Sequence, residues 1–190
     1  MLKKTKFRLL FFIFLIISIL FAYHAYTNQT SWFNDQITAI IILFLVLIFR
    51  KKLKLNPFLY FLLGASFIIH DAGTFGFYNI SPVFIQYDHI THFFAYFTLT
   101  LIAYNYFSKK IELSWLEVAV ISFLIVMGIG ALLEIWELIA HLTRSDFLAG
   151  FVLDKTDQER EWINSMIDLV YNGAGCLFAI VIKQLKRIMV

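Results

Sequence analysis

Asp88 and His92 stand four residues apart in Tyr87-Asp88-His89-Ile90-Thr91-His92-Phe93, where a long apolar run begins. On a helix this spacing sets a carboxylate and an imidazole one above the other, with His89 a turn before His92. Further along, Glu134, Glu137 and His141 fall at i, i+3 and i+7, and Asp168 and Asn172 at i and i+4. Imidazole nitrogens beside carboxylate oxygens suit zinc, manganese or iron, can pass a proton, or can tie helices together by hydrogen bonds. Which chemistry applies depends on whether the segments carrying these groups meet.

The chain is 61% hydrophobic and 18% aromatic, with a mean hydropathy of +0.78, far more apolar than a soluble domain. It belongs in a lipid bilayer. The net charge of +3 does not indicate nucleic acid, because the Lys and Arg residues lie in short clusters between apolar runs, as topology signals do. The single cysteine, Cys176, sits inside an apolar run, so one chain offers no disulfide or thiolate-metal framework.

The pattern predicts an all-α protein of six transmembrane helices in one membrane domain, spanning about 7–26, 32–49, 57–75, 88–107, 115–140 and 164–182. The first run has the basic start of a secretory signal, but Tyr23-His24-Ala25 is a poor cleavage site, so an uncleaved span is expected. Pro57 suits the first turn of the third helix, whose purely apolar part ends at Ile69 and leaves His70 and Asp71 near the membrane edge. Residues 73–87, uncharged and rich in aromatics, read as an interfacial connector. Residues 144–162 read as a solvated loop. Gly128, Gly130 and Ala131 offer the fifth helix a face for close packing.

Basic clusters precede the first span and follow the second, fourth and sixth, leaving only Arg144, Lys155 and Arg160 for the opposite side. Positive charge stays inside, so both termini are expected in the cytoplasm of a cell-membrane protein. This topology brings His70, Asp71, Asp88, His89, His92, Glu134, Glu137, His141, Asp168 and Asn172 to one extracytoplasmic layer at the ends of helices 3–6. Ionised groups facing lipid are costly, so these should line a common pocket, with Tyr96 beneath His92. Glu117 is the exception, near the inner surface. The first two spans, read as lacking comparable groups, are expected to flank the pocket.

The order Tyr87-Asp88-x-x-x-His92-Phe93, Glu134-x-x-Glu137 and Asp168-x-x-x-Asn172-Gly173-x-Gly175 resembles the YjdF-like inner-membrane proteins, and more distantly the VanZ-like proteins, over roughly residues 64–180. The first family implies a multi-span protein without an assigned reaction, and the second an association with glycopeptide resistance.

On the metal reading, His92, Glu134 and Asp168 are the expected ligands, with His89 joining them and Asp88 or His89 orienting an imidazole. Bound water would be activated beside the lipid headgroups, with Glu137 or His141 as general base and Asp88 paired with His92 for acid–base work. The substrate would be a lipid or lipid-linked envelope precursor. Two alternatives stay open: a non-catalytic scaffold whose polar network, Asn172 and Tyr96 included, holds the helices together, and a proton-coupled transporter or small-ligand binding protein.

Overall fold

Cap chemistry begins several of the helices. Asn56 accepts from the Leu59 amide through Oδ1 at 2.9 Å, with Pro57 next in line, and opens the helix Pro57–Asp71. Gln86 and His89 form a reciprocal capping box at the start of Tyr87–Lys110, the Gln86 amide donating to His89 Nδ1 at 3.2 Å. Ser114 and Glu117 do the same for Trp115–Thr143: Glu117 Oε2 accepts from the Ser114 amide at 2.7 Å, and Ser114 Oγ accepts from the Glu117 amide at 3.3 Å. The charge at Glu117 therefore closes a helix end in an exposed position.

The computed structural model describes the backbone of residues 2–28, 32–79, 86–143 and 158–188. Over these residues the chain is all-helical. Its six α-helices are α1 (Leu2–Thr27), α2 (Trp32–Phe49), α3 (Pro57–Asp71), α4 (Tyr87–Lys110), α5 (Trp115–Thr143) and α6 (Gln158–Ile188). Two short 3-10 turns, Ala72–Phe75 and Phe77–Asn79, follow α3. They occupy part of the expected interfacial connector. Four segments, Thr5–Thr27, Pro57–Phe75, Trp115–Trp136 and Ile163–Ile188, are long and apolar enough to cross a membrane. Helix α6 begins at Gln158, so the end of the expected loop is helical.

Packing divides the molecule into two neighbouring groups. Helix α1 lies against α2 and α3, while α4 contacts α3, α5 and α6, its most extensive contact being with α6. Phe7, Phe14, Leu43, Tyr60 and Leu63 fill the first group. Leu59, Leu62, Leu101 and Ala179 join α3 to α4 and α6, and Tyr96, Val126 and Cys176 join α4 to α5 and α6. Leu20, Leu132 and Val170 point outward at 61%, 68% and 69% exposure, which is the arrangement of a bundle whose solvent is hydrocarbon.

Hydrogen bonds tie α4 to the turn before α3 and join α3 to its neighbours α4 and α2. Asn105 Nδ2 donates to the Lys54 carbonyl at 2.7 Å, Ser66 Oγ to Thr98 Oγ1 at 3.2 Å, and Tyr60 Oη to the Leu43 carbonyl at 3.1 Å. The close approach expected of Gly130 is present: a Cβ there would lie 2.6 Å from Tyr96 Cε1. Gly128 differs, with nothing within 4 Å of the same construction, because it falls on the outer face of α5.

A second expectation fails in α2. Asp35 and Gln36 are 7% and 0% exposed, so the first two helices do carry buried polar groups. Their signal was legible as an Asp-Gln pair inside an otherwise apolar run. Position decides why they matter: both side chains turn inward rather than to the membrane surface.

Candidate functional site

Helix α4 carries the centre of the site. Its first turns place Asp88 and His92 on one side, with His92 Nε2 3.4 Å from Asp88 Oδ1. Helix α6 brings Asp168, fully buried, to the same nitrogen, with Oδ1 3.9 Å from Nε2. The other imidazole nitrogen is already engaged: Nδ1 lies 3.0 Å from Asn172 Oδ1. An amide oxygen only accepts, so Nδ1 donates its proton to Asn172, and Nε2 is the nitrogen turned toward the two carboxylates.

Further contacts fix the carboxylates. Asn164, one turn before Asp168, donates Nδ2 to Asp168 Oδ2 at 2.8 Å and leaves Oδ1 toward His92. Thr91 Oγ1 donates to the Asp88 carbonyl at 2.7 Å. Glu134, 4% exposed, enters from α5 with Oε1 3.6 Å from His92 Nδ1. That is longer than a good hydrogen bond, and it is on the nitrogen that Asn172 holds. Tyr96 lies one turn below, its ring nearly parallel to His92 with centroids 6.2 Å apart, and forms the floor.

The remaining expected residues divide. His89 does not point into this group: its Nδ1 accepts from the Gln86 amide and its ring stacks on Tyr171, centroids 4.3 Å apart and planes 8° apart. His70 lies beside the group, 2.9 Å through Nδ1 from Tyr78 Oη, which in turn is 3.4 Å from Thr91 Oγ1. Burial, ahead of the nearby Asp88 carboxylate, pushes the Tyr78 hydroxyl above its usual range, so it stays protonated as a donor. Asp71 interacts with Asp35 of α2. The side chains of Glu137 and His141 lie outside the described residues.

Asp88, His92 and Asp168 each offer one ligand atom, and these atoms lie within 4.8 Å of one another. Two carboxylate oxygens and one imidazole nitrogen suit zinc, manganese or iron, and the bond from Asn172 to the far nitrogen is the kind that fixes a metal-binding imidazole. Asn172→Ala is expected to weaken metal binding about 10–100-fold while the ligands remain, as measured by competition with a chelating indicator dye.

A family model describing a predicted membrane protein, DUF2238, matches residues 7–187. The chain belongs to the DUF2238 family. The YjdF-like resemblance is to this family, while a likeness to VanZ-like proteins is not shown. Neither a curated protein nor a solved structure matches the chain. The match makes the chain a DUF2238 membrane protein, and a multi-pass one by its apolar helices, but it assigns no reaction. Asn164, Thr91 and Tyr78 were not singled out from the sequence. Only Asn164 had a local signal, its i, i+4 spacing to Asp168.

Proposed function

We propose that this DUF2238 protein is a six-span cell-membrane protein with both termini in the cytoplasm, and that Asp88, His92 and Asp168 bind one divalent transition metal in an outward-facing pocket. The single observation that carries the reading is His92, whose Nδ1 is held by Asn172 while Nε2 faces Asp88 and Asp168. Glu134, 3.6 Å from Nδ1, lies on the Asn172 side of the ring and would support the imidazole from α5 beside the ligands. A metal held by so few protein ligands supplies a Lewis acid and an acidified water.

Hydrolysis or group transfer on a lipid or lipid-linked envelope precursor is the chemistry this position favours. The pocket would sit at headgroup depth, and Ile163, Met166, Ile167 and Val170 give α6 an exposed apolar face suited to lipid. Glu137 and His141 remain the proposed general bases, and His89 would support the α4 end through its cap instead of ligating. A scaffold role is favoured by one feature, the bond from α4 to α6 through His92 and Asn172.

Elemental analysis of protein purified without chelator separates these readings. The metal reading expects about one zinc, manganese or iron per chain. Folded protein that remains metal-free after exposure to each ion overturns it and leaves the scaffold. For topology, a reporter fused after Ser145 is expected outside the cell; a cytoplasmic signal there reverses the pocket's orientation.

A further inference from the structure

A second buried polar chamber lies where α2 begins and α3 ends. Asp35 and Gln36 come from α2, and Asp71 and Thr74 from the end of α3 and the 3-10 turn after it; Asp71 and Gln36 are 0% exposed. Gln36 donates Nε2 to Thr74 Oγ1 at 2.6 Å, which ties its amide to the turn after α3. Asp71 and Thr74 are three apart across that turn, a spacing at which side chains eclipse. The Gln36 amide is thereby held beside the face that carries Asp71. Asp35 immediately precedes Gln36 on α2 and is itself only 7% exposed.

The chamber is rich in unused oxygens. Both Asp71 carboxylate oxygens, Asp35 Oδ1 and Gln36 Oε1 are buried without a hydrogen bond among the described residues. The described ion pairs all centre on His92, so no described basic side chain neutralises either carboxylate. Two buried acids without a basic partner are costly, and each raises the cost of the other. A neutral amide oxygen without a donor adds to the imbalance, and it is independent of the acids.

We propose that this chamber is a second cation site, taking a hard divalent ion of the calcium type. Asp35 and Asp71 balance its charge, Gln36 Oε1 supplies a neutral ligand, and Thr74 positions Gln36. The donors are all oxygen, which suits calcium, whereas the imidazole at His92 suits a transition metal. The two sites meet at consecutive residues: His70 contacts Tyr78, and Asp71 ends α3 at the turn that Gln36 of α2 reaches through Thr74. Ion binding at Asp71 would therefore brace the helix end that supports the His92 pocket.

The test uses full-length protein in detergent, stripped with chelator and titrated with calcium chloride. Equilibrium binding with radioactive calcium is expected to show about one high-affinity site per chain, and saturation to raise the melting temperature by roughly 5 °C. Asp35→Asn and Asp71→Asn should each abolish that site. In chelator both should melt at or above the wild type, since each relieves repulsion, and calcium should reverse the order. Thr74→Val retains every ligand and is expected to weaken binding about tenfold, which keeps the test open if an aspartate variant fails to fold. No calcium binding by the wild type overturns the proposal. So does calcium binding that survives Thr74→Val and both asparagine variants, or that disappears in His92→Ala.

Discussion

His92→Ala protein is expected to emerge from purification without transition metal, while wild-type protein treated identically holds about one ion per chain. The imidazole is the only nitrogen in the group of Asp88, His92 and Asp168, and it is the member within reach of both carboxylates. Removing it leaves two carboxylates that repel one another, a set far poorer for zinc than the original. Asp168→Asn should lose metal too, because a neutral amide then replaces the one fully buried carboxylate of the group. Inductively coupled plasma mass spectrometry reads the content directly. Circular dichroism in parallel should show an intact helical spectrum, since α4 and α6 keep their other contacts. Metal retained at wild-type level in both variants would remove the centre from His92.

Gly175→Ala is expected to force α4 and α6 apart and destabilise the bundle. A Cβ at Gly175 would stand 2.3 Å from the Phe93 carbonyl oxygen and 3.0 Å from the Phe97 amide nitrogen. These are backbone atoms of α4, so no rotamer change relieves the clash. The two helices must separate. Overpacking of this kind costs about 1–3 kcal/mol, and a rigid backbone contact belongs at the upper end. Because Gly175 lies two turns inward of Asp168 on α6, separation would also draw Asp168 away from His92. Reduced thermal stability and weakened metal binding are expected together. A variant that melts normally and binds metal with wild-type affinity would show that the α4–α6 contact does not set the pocket. The same addition at Gly128, where nothing lies within 4 Å, serves as the control and should change neither.

Between them, these variants show what kind of information the sequence held. Membrane composition, the helical character and the approximate position of each helix followed from apolar runs bounded by charge, because the hydrocarbon core imposes a length on any crossing segment. The alignment of Asp88 with His92 and of Asp168 with Asn172 followed from helical periodicity. Gly175 could be placed on the Asp168–Asn172 face by the same counting. Proximity between α4 and α6 could only be expected from the cost of turning charge toward lipid.

Periodicity says nothing about which way each ring or amide turns. His89 and His92 sit three apart and look equivalent in the sequence, yet the capping of α4 takes His89 for the Gln86 amide and stacks it on Tyr171. Asp71 seemed to belong with His70, but consecutive residues on a helix point about 100° apart. His70 contacts Tyr78, while Asp71 is fully buried at the end of α3. Asp35 and Gln36 gained their meaning only when α3 closed over them.

The sequence alone determined that this is a helical membrane protein with acids and histidines concentrated near helix ends, because hydrophobic length and helical spacing are local properties. Only the tertiary structure decided that Asn172 holds one nitrogen of His92 while Asp88 and Asp168 face the other, and that Asp35, Gln36 and Asp71 are buried where α2 begins and α3 ends. Such contacts depend on rotations and crossings between helices far apart in the chain, which are fixed by packing at places such as Gly175 against Phe93.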